Sequence, residues 1–252
     1  MKNFNKIIIA SCFALAVITA SYFFLHKPKT ARFEAVIFDM DGTIIDTDHI
    51  WKKSNAPILD SHAPHLSQEE KEKISGCFLE KTIYEVWQCV HEHCNNQISM
   101  DEITVENIKH LHTAYLKDGI DFIPYFQDFH AQVVELGLKH AVATSSQQET
   151  VDTIRQIVPL HDYFDQHIYH ADHVNRAYKP SPAVYLYAAE QLAVDPKKCI
   201  AIEDSSGGIK AAKAAGMYCI GINTGKNREQ LKQADAIVES FTEIDLKKLL
   251  YE

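Results

Sequence analysis

From His140 onwards short apolar runs alternate with helical patterns, and this alternation constrains the fold more than any other feature of the chain. His140–Thr144, His167–Tyr169, Cys199–Ile202, Met217–Ile222 and Ala236–Val238 read as strands. Glu149–Val158, Pro182–Leu192, the Ala-rich Gly207–Ala215 and Glu243–Leu250 read as helices. Alternation of this kind implies a parallel sheet covered by helices. An earlier run, Arg32–Phe38, reads as a further buried strand. Ligands of such sheets bind at the carboxyl ends of the strands, so the residues that follow each strand matter most.

Those residues are polar and of few kinds. The first strand runs into "DMDGTIIDTD", which holds four aspartates, Asp39, Asp41, Asp46 and Asp48. The second ends in Thr144-Ser145-Ser146, Lys179-Pro180 precedes the Pro182 helix, and the Cys199 strand ends in Glu203-Asp204-Ser205-Ser206-Gly207-Gly208. In a parallel sheet all four groups open on one face. Hard carboxylate oxygens suit Mg²⁺ shared with phosphate oxygens and water, and Asp39, Glu203 and Asp204 can supply them. A carboxylate can attack phosphorus, and a second one nearby can move a proton to the leaving oxygen and later from water. The Thr144 hydroxyl and the Lys179 ammonium can neutralise the non-bridging oxygens. Gly42 permits a tight backbone turn beneath them.

"DMDGT", Thr144, Lys179 in "YKPSP" and "EDSSGGIKAAKAAGM" together resemble the four motifs of the haloacid dehalogenase (HAD) superfamily, in family order over about Arg32 to Glu252. The resemblance implies Asp39 as nucleophile and Mg²⁺ ligand, and Asp41 as general acid/base with its backbone carbonyl on the metal. It further implies that Thr144, Ser145 and Lys179 bind the phosphoryl group, and that Glu203 and Asp204 complete the metal site. The dehalogenases that named the superfamily lack the second aspartate of the first motif. Asp41 is present, which favours phosphoryl transfer.

Between the first two strands, about Asp48 to Asp121, the pattern is helical. Ser67-Gln68-Glu69-Glu70 looks like a capping box, and Ile103, Ile108, Leu111, Ala114 and Tyr115 recur at helical steps. The block resembles the inserted C1-type cap of the family. The expected division is an N-terminal segment 1–31, a Rossmann-like α/β core of residues 32–47 and 122–252, and a helical cap 48–121. Asp46 and Asp48 are read as starting the first cap helix or forming its hinge, and Phe78, Tyr84 and Trp87 as cap core. "CVHEHC" (Cys89–Cys94) tempts one towards zinc, but no second cysteine pair stands at finger spacing, so it reads as a chance cluster.

Ile7–Leu25 is an uncharged apolar run flanked by Lys2 and Lys6 before it and by Lys27 and Lys29 after it. Its length suits an uncleaved transmembrane anchor, with a cleaved signal and export as the alternative. The basic residues that follow favour a cytoplasmic catalytic domain. A net charge of -9 offers no basic footprint for nucleic acid, and the cysteine spacings suggest no disulfide framework.

The expected protein is therefore a monomeric, membrane-anchored, Mg²⁺-dependent phosphatase of a small phosphorylated metabolite, sugar phosphates included. A beta-phosphoglucomutase-like mutase is the first alternative. Such mutases carry a histidine where Trp51 stands and a cap arginine that Gly76–Lys81 lacks. A catalytically silent tethered module is the second alternative.

Overall fold

The computed structural model describes residues 31–76, 83–95 and 97–252. Six parallel strands form one sheet: β1 (Ala35–Phe38), β2 (Lys139–Ala143), β3 (Ile168–Tyr169), β4 (Cys199–Glu203), β5 (Tyr218–Ile222) and β6 (Ala236–Val238), in the order β3-β2-β1-β4-β5-β6. The order reverses beside β1, the place where doubly wound sheets hold their ligands. Phe38 pairs with Val142 of β2 and with Ile202 of β4. That register sets Asp39, Ala143 and Glu203 level with one another at the carboxyl edge.

Every residue of β1 is buried, because alternate side chains enter two different cores. Val36 and Phe38 pack with Phe126, Phe129 and Phe164 on one face, and Ala35 and Ile37 pack with Tyr185, Ala188 and Ala211 on the other. The first face is covered by α6 (Phe126–Glu135), α7 (Gln148–Arg155), α8 (Leu160–Phe164) and α11 (Leu246–Tyr251), the second by α9 (Ala183–Gln191) and α10 (Ser206–Ala214). Helix α6 was not assigned from the sequence, although Phe126, Phe129, His130 and Val133 stand at the spacing of one buried helical face.

Between β1 and α6 come α1 (Asp48–Ser54), α2 (Ala56–His62), α3 (Gln68–Gly76), α4 (Ile83–His93) and α5 (Met100–Asp118). Ser67 and Glu70 bond reciprocally at the start of α3, as their spacing predicts. Ser99 and Glu102 form a second capping box on α5. The block has its own small core, which includes Ile58, Leu59, Trp87, Val90 and Ile103. Ile50, Leu111 and Tyr115 instead join the core beside the sheet. Helices α1 and α5 therefore root the block on the α/β body.

The membrane-anchored, cytoplasmic placement expected from the sequence is corrected here. Among the described residues no helix is long and apolar enough to cross a membrane. The run Ile7–Leu25, whose hydropathy alone carried that expectation, lies outside the described residues, as do Phe78 and the Tyr84 side chain. The described cysteines Cys89, Cys94, Cys199 and Cys219 are free thiols.

Candidate active site

The turn after β1 brings Asp39 and Asp41 to the sheet edge and sends their carboxylates to different partners. Asp39 is 7% exposed, and its Oδ1 accepts from the Lys179 ammonium. Asp41 Oδ1 accepts from Thr47 Oγ1 at 2.8 Å and from the Trp51 indole at 3.2 Å, with the Tyr115 hydroxyl at 3.4 Å. Its Oδ2 accepts from Ser146 Oγ at 3.0 Å. The acid on the first turn is thus gripped from two sides, by the helical block and by the loop after β2. None of these four partners was singled out for this role from the sequence, because each lies on an element whose approach only the fold sets.

Lys179 Nζ also donates to Glu203 Oε1 at 2.6 Å. Burial pulls the Lys179 ammonium down, but the Asp39 and Glu203 carboxylates beside it outweigh that and raise it. Glu203 is fully buried. Its Oε1 accepts a second bond from Tyr185 OH at 2.8 Å, and its Oε2 accepts from Ser205 Oγ at 3.1 Å and Ser205 N at 3.3 Å. A Cβ built on Gly208 would meet Glu203 Oε1 at 1.7 Å, so only glycine fits behind this carboxylate.

Asp204 accepts from Thr43 Oγ1 at 3.1 Å through Oδ1. Its Oδ2 presses against Gly42, where a Cβ would meet it at 2.3 Å. Gly42 has φ +78, so the position demands glycine for its backbone as well as for its space. Asp48 heads α1 as expected, but its Oδ1 lies 3.1 Å from that same Cβ position. It therefore borders the site, whereas Asp46 faces His49 at an exposed position. Thr144 is buried and accepts from Ser146 N through Oγ1, while Ser145 Oγ accepts from Lys179 N.

These groups border one cavity of about 200 Å³ lined by Asp39, Asp41, Thr144, Ser145, Lys179 and Asp204 among others. Glu203 stands behind it. Asp39, Glu203 and Asp204 offer oxygens within 4.8 Å of one another, the one group of this kind among the described residues. Burial, only partly opposed by Lys179, holds Asp39 well above the usual carboxylate range. Burial and then Asp39, Asp48 and Glu203 push Asp204 up as well. Buried carboxylates crowded in this way against a single ammonium fit a divalent cation, which supplies the missing positive charge. Asp39 and Asp204 have the freer oxygens, since both Glu203 oxygens already accept two bonds each. No comparable group forms in "CVHEHC": His91 Nδ1 lies 2.6 Å from Ile98 O and His93 Nδ1 lies 2.7 Å from Cys89 O.

Residues 36–222 match the family model of haloacid dehalogenase-like hydrolases. The chain belongs to this family. It is 28% identical to hexitol phosphatase B of Escherichia coli K12 over 218 residues, 86% of this chain and 96% of that one. It is 28% identical to the fructose-1-phosphate phosphatase YqaB of Escherichia coli K12, over 76% of this chain and 97% of that one. A HAD hydrolase structure from Entamoeba histolytica superposes with a TM-score of 0.71 at 26% identity, covering 86% of this chain and 97% of that chain. The protein is an enzyme, a hydrolase of this family whose relatives include phosphatases.

Proposed function

We propose that the protein is a Mg²⁺-dependent phosphatase of a small phosphomonoester, working through an aspartyl-phosphate on Asp39. The observation that carries the reading is the convergence of Asp39, Asp41, Thr144, Lys179 and Asp204 on one cavity at the sheet's switch point. An Asp39 oxygen attacks phosphorus and the ester oxygen leaves. Asp41 gives that oxygen its proton and then takes one from the water that hydrolyses the aspartyl-phosphate. Lys179 holds Asp39 in line and meets phosphoryl charge, while Thr144 and Ser145 donate to the non-bridging oxygens. Asp39, Asp204 and the Asp41 carbonyl would hold Mg²⁺, which supplies charge neutralisation on the phosphoryl oxygens. In this reading residues 48–121 act as the cap. Because Trp51 and Tyr115 both reach Asp41, the block helps orient the acid as well as exclude water. The names of the relatives point to sugar and polyol phosphates as the substrate chemistry.

The test is phosphate release from p-nitrophenyl phosphate and from a panel of sugar phosphates with Mg²⁺. Wild type should turn over and Asp39→Asn should lose at least about a thousandfold. Equal rates for the two proteins would defeat the proposal. Conversion of a sugar 1-phosphate without phosphate release would instead favour the mutase.

A further inference from the structure

Asp48 lines the cavity, yet the proposed reaction gives it no task. It is the first residue of α1, the helix that opens the helical block. An aspartate in the first turn of a helix ordinarily serves the exposed backbone N–H groups there. Asp48 stands in a more demanding place. The point where a Cβ on Gly42 would stand lies 3.1 Å from Asp48 Oδ1 and 2.3 Å from Asp204 Oδ2. Two carboxylates from distant parts of the chain therefore close on one spot beside the turn that carries Asp39 and Asp41. Asp46, two residues earlier, is exposed and faces His49 instead.

Like charges gathered in this way are costly unless positive charge stands with them. Lys179 is engaged by Asp39 and Glu203. The Asp48 charge raises Asp204 more than the Glu203 charge does, although Glu203 is next to Asp204 in the sequence. The cation that fits Asp39, Glu203 and Asp204 supplies the opposite charge. Asp48 is not in that set of mutually close oxygens, which places it outside direct coordination. Protein-bound Mg²⁺ usually keeps several waters, and those waters need acceptors. Within the set, Glu203 has both oxygens committed to Lys179, Tyr185 and Ser205. A further carboxylate beside Asp204 meets the need. Groups placed so around a metal govern its affinity by about 10–100-fold.

We propose that Asp48 is an outer carboxylate of the metal centre, accepting from the water of a bound Mg²⁺ and so tying the first helix of the helical block to the cation. The inference rests on the metal site of the phosphatase reading above. It adds a residue of the helical block to a centre otherwise built from the α/β body, so that cation binding steadies the block over the cavity.

Mg²⁺ binding to the full chain, free of substrate, is measured by titration calorimetry, and amide exchange across α1 is followed with and without Mg²⁺. Asp48→Asn should weaken Mg²⁺ about tenfold. Asp48→Glu, which keeps the charge, should weaken it by less, and Asp46→Asn should bind as wild type does. Mg²⁺ should slow exchange across α1 in wild type and not in Asp48→Asn. A residue that served only the helix would instead lower the melting temperature of Asp48→Asn and leave its Kd alone. A wild-type Kd in Asp48→Asn, an equal loss in Asp46→Asn, or exchange in α1 that ignores a cation wild type binds overturns the role of Asp48 and leaves the phosphatase standing. A wild type that binds no Mg²⁺ overturns both.

Discussion

At Gly208 a methyl group would have to share space with Glu203 Oε1, 1.7 Å away. Glu203 cannot step aside, because Lys179, Tyr185 and Ser205 hold both of its oxygens. Gly208→Ala should therefore destabilise the protein by about 1–3 kcal/mol, the usual range for overpacking. Urea unfolding would read this as a lower midpoint, and phosphate release should fall with it as Lys179 shifts. A variant as stable as wild type would show that the carboxylate has room. The second glycine of the site, Gly42, answers to two demands at once, a positive φ and the nearness of Asp204. Both glycines are visible in "DMDGT" and "EDSSGG", yet only the packed side chains show what each makes room for.

At the level of elements, β1 and its register organise the site, and α5 governs how the helical block meets it. Tyr115 of α5 reaches Asp41, and His112, one turn earlier, lies 3.0 Å from Thr150 Oγ1 on α7. The N-terminus of α5 is closed by Ser99, whose hydroxyl accepts from Glu102 N while the Glu102 carboxylate accepts from Ser99 N. Ser99→Ala should cost about 1 kcal/mol of stability, the usual value of such a cap, measured by denaturant unfolding. A loss well under half of that would mean that packing of Ile103, Leu111 and Tyr115 alone holds the helix. The capping boxes at Ser67 and Ser99 are local patterns and can be read from the sequence. The meeting of Tyr115 with Asp41 cannot, because it joins residues 74 positions apart.

Two expectations belong to the molecule as a whole. A cation bound only by the folded chain stabilises it by mass action, about 2.7 kcal/mol at a hundredfold excess over Kd. Mg²⁺ should therefore raise the melting temperature by roughly 5–10 °C for a chain of this size, and EDTA or Asp204→Asn should remove the rise. A melting temperature indifferent to Mg²⁺ would count against the metal site. The second expectation concerns acid. His130 is buried among Phe38, Phe126 and Phe164 with Nε2 unpartnered. Burial, with the His140 ring adding to it, pushes its pKa from 6.5 down to about 4. The unfolded chain takes up this proton near its ordinary value and the folded chain does not, so stability is full above pH 6.5 and falls as the pH drops towards about 4. The loss from this residue is at most about 3 kcal/mol. His130→Phe should flatten the dependence of melting temperature on pH between those limits; an identical slope would place the sensitivity elsewhere, with buried His170, also lowered to about 4, the next residue to test.

The amino-acid pattern by itself determined the alternation that makes a parallel sheet, the helical block after the first strand, and the residue types waiting at each strand end. Those are local properties: period, propensity and the chemistry of short motifs are all written within a few neighbours. Hydropathy is local too, and in Ile7–Leu25 it led to a membrane placement that no described helix supports. Only the tertiary structure decided which partners hold Asp41, that both oxygens of Glu203 are committed, and that Asp48 turns towards Asp204. Such contacts join elements far apart along the chain. They depend on sheet register and on the packing of helices against it, which no stretch of sequence carries alone.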